Sequence, residues 1–473
     1  MHLRIPTTLL ILAAALPAAE PATLEQRLED LDQEVKILKR KAEIAAEDAA
    51  AKAKTAASTV TAVVTANAKD GFQIRASDNS FRLKFGTLIA LDSRQFVTDD
   101  TPSRTSTFLL RYFRPSFTAT VSNIAELVLV PEFAGSTPSI DNGYIDVKLL
   151  PEVTIRAGKF VQPVGLERWH SAGALSFGER SLASNLTSAR DLGVQASGEV
   201  AGGQLSWAIG IFNGAQDNNN ALPTGETSTG AAKSNGTFSS GDGKDVAARL
   251  SAKPLAWSGS PWVENLELSL SGSWGDEDGA TPPVYVSPAQ QSLNSYRANV
   301  VVDGPRLRLN PQLKWYAGSF SLLGEYVISR QRFQAPGGAS IASNHAWYVS
   351  LGWVVTGEDA TWRGVTPAKP FDPAAGGWGA LELLVRVHRL ALDQKGVSSG
   401  RAQADGAAWT DPWLAPRSAT AWGVAAQWYL NRNLKLVNAY ERTDFRNGAG
   451  TNRATTTDRE TEHVLLSRLQ ASF

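Results

Sequence analysis

From Phe81 onward the dominant hydrophobic period along the chain is two. Through Trp262–Trp274 the even positions carry Trp262, Leu266, Leu268, Leu270, Gly272 and Trp274, and the odd ones Glu267, Ser269, Ser271 and Ser273. Such alternation marks a strand with one apolar face. A Trp stands at each end of that face, so a single strand over the stretch would extend roughly 40 Å. Tilted by about 40°, it projects to a height matching the apolar band and aromatic girdles of an outer-membrane barrel. The pattern recurs. Leu307, Leu309, Leu313 and Trp315 oppose Arg306, Arg308, Asn310, Gln312 and Lys314, and Leu381, Leu383, Val385 and Val387 oppose Glu382, Arg386 and His388. Every odd position from Trp347 to Val355 is apolar. The polar faces carry single, uncompensated charges, which suit a wet lumen.

Read this way, the chain predicts about sixteen strands, starting near 81, 106, 124, 142, 152, 191, 203, 244, 261, 306, 318, 344, 377, 418, 433 and 460. Leu149-Leu150-Pro151 and Asn431-Arg432-Asn433 read as tight turns. The stretches 163–190, 214–243, 276–304, 332–343, 357–376 and 394–417 read as long loops rich in Gly, Ser, Asn and Pro. Short turns at one end and long loops at the other is the organisation of a bacterial transmembrane barrel, and sixteen strands leave an aqueous channel. The fold class expected is all-β: a transmembrane antiparallel β-barrel over 70–473, preceded by an α-helical coiled coil.

Upstream the period changes. Arg4, the apolar run Leu9–Leu16 and the small residues Ala18 and Ala19 read as a signal peptide over 1–19, too short to span a bilayer. Leu24, Leu28, Leu31, Val35 and Leu38 alternate spacings of four and three, the seam of a coiled coil over 20–52. That segment is expected either to oligomerise or tether the chain in the periplasm, with peptidoglycan a candidate contact, or to pack as one amphipathic helix on the body. Residues 53–69 read as a linker.

Composition narrows the class. The 473 residues carry 46 basic and 46 acidic side chains, which argues against a nucleic-acid binder. No Cys is present, excluding thiolate metal sites and cysteine catalysis and suiting export. Fourteen Trp and 40 Gly beside only 19% charged residues fit a barrel in lipid. Gly396-Val-Ser398-Ser-Gly400 lacks the strand–helix setting of a hydrolase elbow. The five His are scattered, and Asp276-Glu-Asp-Gly279 lacks the later ligands of a calcium loop. No catalytic residue, cofactor or metal is expected.

At this point an ordered set of motifs becomes specific. Ala157-Gly-Lys-Phe-Val-Gln-Pro-Val-Gly-Leu-Glu-Arg168 is followed by Phe177-Gly-Glu-Arg180, Ala189-Arg-Asp-Leu-Gly-Val-Gln195 and Gly210-Ile-Phe-Asn-Gly214. Then come Val355-Thr-Gly-Glu358, Phe371-Asp-Pro373, Gly376-Gly-Trp-Gly-Ala-Leu-Glu382, Trp428-Tyr-Leu-Asn431 and the closing Arg468-Leu-Gln-Ala-Ser-Phe473. Over about 70–473 the chain resembles the phosphate-selective porin O and P family. The resemblance implies a sixteen-stranded homotrimeric porin of the outer membrane, its third long loop folded inward, passing small anions such as phosphate or pyrophosphate. The alternatives are a general, non-selective porin, or a cell-wall tether anchored by the barrel.

The family opens its second strand with two adjacent arginines, where this chain reads Arg111-Tyr112-Phe113-Arg114. Parity with Phe113 and Phe117 puts Arg114 inward and Arg111 outward, unless a bulge intervenes. Arg114 joins Arg168, Arg180 and Arg190 as the expected anion constriction. Guanidinium suits phosphate because its fork donates in pairs. Glu167 and Glu179 adjoin two of these arginines, so pairing that merely fixes the loop is the competing reading. Arg82, Lys84, Arg156, Arg306, Arg308, Lys314 and Arg386 are expected along the pore wall.

Overall fold

The computed structural model describes residues 23–58, 61–67, 71–97, 105–218, 243–397 and 408–473. The expected signal segment and Ser398 lie outside them. The chain divides into two units, Met1–Thr61 and Ala62–Phe473. In the first, helix α1 (Leu24–Ser58) begins at a reciprocal cap, Thr23 Oγ1 accepting from Gln26 N and Gln26 Oε1 from Thr23 N. Its seam of Leu24, Leu28, Leu31, Val35 and Leu38 is solvent-exposed within this single chain. The helix runs into the stretch read as a linker, and Ala62–Asn67 beyond it pairs with Gly71–Ala76 as a hairpin.

The second unit is a closed barrel of sixteen antiparallel strands. They are β1 (Phe81–Phe96), β2 (Thr107–Val121), β3 (Ala125–Glu132), β4 (Ser139–Leu150), β5 (Val153–Val161), β6 (Arg190–Val200), β7 (Leu205–Phe212) and β8 (Asp245–Ala252). Then follow β9 (Glu267–Ala280), β10 (Val301–Ala317), β11 (Phe320–Ala335), β12 (Gly338–Val354), β13 (Ala380–Ala391), β14 (Pro416–Tyr429), β15 (Leu434–Ala449) and β16 (Glu462–Ser472). β16 closes on β1 with Leu469 opposite Leu91, and Phe473 exchanges backbone hydrogen bonds with Thr87. Closure leaves no strand edge and satisfies the backbone in lipid.

Alternation sorts the side chains as expected: Leu268, Leu270 and Trp274 face out, while Ser269, Ser271 and Ser273 are buried inside. Four details depart from the sequence reading. β9 begins at Glu267, so Trp262 does not share its strand with Trp274. It lies in the turn segment 253–266, where Pro254, Gly259 and Pro261 interrupt strand geometry, and it packs on Phe320. The stretch 332–343 is no loop, because β11 and β12 run on to a two-residue turn at 336–337. Asp276–Gly279 belongs to β9, and Glu277 there binds Arg306. The loop expected over 357–376 does exist, but at the tight-turn end, between β12 and β13.

Strand length is uneven around the wall. β3, β5, β7 and β8 have 8, 9, 8 and 8 residues, whereas β10, β11 and β12 have 17, 16 and 17. Trp207 is the one aromatic facing outward on β3–β8; the rest of that surface is mainly Leu, Ile, Val, Ala and Gly, including Leu129, Ile145, Val194, Ile209 and Leu250, with Lys159 of β5 on the same face.

Candidate functional site

The segment 162–189 between β5 and β6 lies inside the barrel. It is richer in apolar residues than a solvated loop needs: Leu166, Leu175, Phe177, Leu182, Ala183 and Leu186 are all buried. They find partners because the inward face of the β11–β15 wall is locally apolar. Leu323, Val327, Ala346, Tyr348, Leu390, Ala421 and Phe445 form one cluster with Leu166, Leu182 and Leu186. A core has been built against one side of the lumen. Gly165, at φ +87°, starts the inward turn, and a Cβ there would meet Thr187 at 2.9 Å.

Polar wall residues then satisfy the loop backbone, which an internal loop requires. Glu325 accepts from Leu166 N (2.8 Å) and Glu167 N (3.3 Å), and His388 Nδ1 accepts from Leu182 N (2.9 Å). Arg386 donates to the Glu179 carbonyl, Gln470 to that of Gly173 and Gln427 to that of Leu175. From the tight-turn end the segment 355–379 reaches the same loop. Its Trp362 stacks on His170 with centroids 3.8 Å apart, and its carbonyl accepts from His170 Nε2 at 2.7 Å. Burial pushes the His170 imidazole down to about 3, against the pull of that hydrogen bond, so it is neutral at pH 7.

The arginines expected at the constriction fall into two groups. Arg168 and Arg180 line one small cavity of about 30 Å³ together with Arg111, Glu179, Asn185 and Asn218. Neither takes the carboxylate beside it in sequence. Arg168 donates to the Ser184 carbonyl (2.6 Å) and Asn218 Oδ1 (3.2 Å), and Arg180 to the carbonyls of Glu167 (3.1 Å) and His170 (3.0 Å). Glu167 instead binds Arg386, Ser181 and Ser184, and Glu179 binds Arg94, Arg111 and Arg468. Burial, then repulsion from Arg180 and Arg190, pushes the Arg168 guanidinium down to about 9. It stays protonated at neutral pH, as a cation with neutral acceptors only. Burial tends to raise the Glu179 carboxyl, but Arg111 and Arg94 outweigh it and hold the group below the usual range.

Arg114 and Arg190 form the second group. Both bind Asp141, at 3.1 and 2.8 Å, and Arg114 also takes Glu132 at 2.6 Å. Their charge is compensated.

Arg111 points inward, opposite to the parity expectation. Ala90 pairs with Tyr112 but Leu91 pairs with Leu110, so Arg111 sits on a β-bulge and parity flips there. Arg111 and Arg114 then flank the Tyr112 ring at 4.3 and 4.4 Å. A signal was present: Phe108 and Leu110 face out on even positions, Phe113 and Phe117 on odd ones. Two apolar parities in one strand require an extra residue between them.

The wall cations lie on the inward face, but their charges are not uncompensated as expected. Arg306 binds Asp245 and Glu277, Arg308 binds Asp217, and Arg386 binds Glu441 and Glu167. Arg156 pairs with Asp146 and Lys314 with Glu267. Only Arg82 and Lys84 of that set remain exposed, on the face of β1 shared with Asp92. Interdigitated acids and bases are how a lumen this polar avoids burying lone charge.

The family model for phosphate-selective porin O and P matches residues 81–473. No curated protein matches the chain in sequence. Among solved structures, OmpF of Salmonella typhi in complex with daunomycin is similar with TM-score 0.50 and 12% identity, over 84% of this chain and 99% of that one. The outer membrane channel DcaP of Acinetobacter baumannii gives 0.49 and 10%, over 84% and 99%. OmpT of Vibrio cholerae gives 0.47 and 10%, over 83% and 98%.

Proposed function

We propose, from the premise that the chain belongs to the phosphate-selective porin O and P family, that this outer-membrane porin passes small anions through a constriction set by Arg168 and Arg180. The observation carrying this reading is that both guanidinium groups line the inward loop's cavity with carbonyl and amide acceptors and no ion pair among the described residues. A cation held so raises the local anion concentration, whereas a paired one cancels at the distance of a Debye length, about 8–10 Å. Phosphate and pyrophosphate are the solutes whose oxygens suit this donor fork.

A second reading has its own observation. Arg114 and Arg190 are neutralised by Asp141 and Glu132, and Tyr112 stands where the family has its second arginine. On that reading the channel is a general porin. Single-channel conductance under a potassium chloride gradient separates the two. A reversal potential near that of chloride, with current interrupted by added phosphate, supports the anion channel; a potential near zero without block supports the general porin.

The assembly proposed is a homotrimer. The short strands β3, β7 and β8 have about the minimum length for a tilted membrane strand, and their outer face carries Trp207 alone of girdle-type residues. Such a sector suits protein contact better than lipid. Helix α1, with its exposed heptad seam, suits a coiled coil between the same subunits.

A further inference from the structure

We infer a second solute-binding subsite inside the barrel, centred on Arg249 and Trp169, that takes a singly charged aromatic carboxylate. It rests on the reading of the barrel as a channel, since the ligand enters through the lumen. Between the inward loop and the tight-turn end lies a cavity of about 800 Å³. That is the size of a small-molecule site. Arg249 on β8 borders it and is 5% exposed. Its Nε donates to Ser251 Oγ at 3.2 Å and its Nη2 reaches Ser269 Oγ at 3.5 Å, while the buried Nη1 has no hydrogen-bond partner among the described residues. The carboxylates whose field reaches it are engaged elsewhere, Glu267 with Lys314 at 2.7 Å and Glu325 with the loop amides. A buried guanidinium with a free donor gains from any anion that reaches it, because desolvation has already been paid for in folding.

The other half of the site is aromatic. Trp169, at the end of the short helix Leu166–Trp169, is 41% exposed within the lumen, and the Arg249 guanidinium carbon lies over one face of its ring, 4.3 Å from the centroid. Trp362 borders the same cavity. An exposed indole beside a free donor matches a ligand with a ring and an acid on one frame. Charge selects the acid. Lys148, Arg156 and Lys314 line the cavity together with Glu152, Glu199 and Glu267, but Asp146 takes Arg156 and Glu267 takes Lys314, so Lys148 stands against Glu152 and Glu199 and the one Nη1 edge answers one carboxylate.

Calorimetric titration of the detergent-solubilised full-length protein with benzoate, acetate and benzyl alcohol tests this. Benzoate should bind at least about tenfold more tightly than either the acid without the ring or the ring without the acid. R249Q should abolish the preference for benzoate over benzyl alcohol, and W169L the preference over acetate; W169F should retain it. Equal affinity for benzoate and acetate, or unchanged benzoate binding in R249Q, overturns the subsite. If a variant fails to fold, the ligand series on the unaltered protein decides alone. In a bilayer, benzoate added at the tight-turn end should interrupt the current in the unaltered protein but not in R249Q. A protein that forms no pore refutes the channel reading, while the calorimetry still decides the subsite.

Discussion

At the residue scale, the decisive distinction is between arginines with acids and arginines without. Arg168 and Arg180 directly follow Glu167 and Glu179 in the chain, yet both carboxylates turn toward the wall and bind Arg386 and Arg111 instead. Replacing Arg168 or Arg180 by Gln should move the chloride reversal potential toward zero and weaken phosphate block by about tenfold each, the scale of one charge-assisted hydrogen bond. Arg114→Gln and Arg190→Gln should change it less, since Asp141 already screens both. Glu179→Gln is predicted to do two things. It strips the carboxylate shared by Arg94, Arg111 and Arg468, costing about 3–5 kcal/mol and lowering the unfolding temperature. In those channels that still fold, it should sharpen anion preference, readable in the same reversal measurement.

At the element scale, the inward loop is held by a hydrophobic cluster on one side and by His170 stacked on Trp362 on the other. The His170 group falls from its ordinary 6.5 to about 3 in the folded protein. Its neutral form is therefore the one the fold favours. The stability it contributes is present above pH 6.5 and is lost as the pH drops toward 3. Arg180, Lys314 and Lys435 surround it and add repulsion to a protonated ring. Acidification from pH 6.5 to 3 should thus loosen the contact between the loop and the 355–379 segment, seen as growing current fluctuation. His170→Phe keeps the stack and removes the titration, so its channel noise should be flat over that interval; an unchanged pH profile in this variant would refute the assignment.

At the scale of the whole molecule, the uneven wall predicts where subunits meet. Ile209→Arg or Leu129→Arg, on the short strands, should dissociate the trimer on a native gel, whereas Leu351→Arg, on the long strand β12, should leave the oligomer intact and disturb insertion instead. Deleting 20–52 should weaken the assembly without abolishing it, because the barrel wall supplies the larger apolar surface. Retention of full trimer stability after that deletion would remove the coiled coil from the account of assembly.

Alternation alone made the barrel legible, since a strand between lipid and water must repeat every two residues wherever it lies. Strand number and closure at Phe473 followed from local pattern, and an inward-folded third loop from the resemblance that the ordered motifs carry, though not where in the lumen that loop sits. What pattern could not supply was pairing. Arg111 turned inward because it is itself the extra residue, accommodated between Leu110 and Tyr112 by a choice made jointly by β1 and β2. The stretch 332–343 became strand because two long neighbours could continue pairing there. Whether a lumen arginine is free depends on acids brought to it from elsewhere in the barrel, as Glu441 and Glu167 are to Arg386. The sequence by itself determined which face a side chain takes along an unbroken run of strand, because that is set by the strand's own geometry. Only the tertiary structure decided which charges meet, because closing the barrel and folding the loop inward bring together groups far apart in the chain.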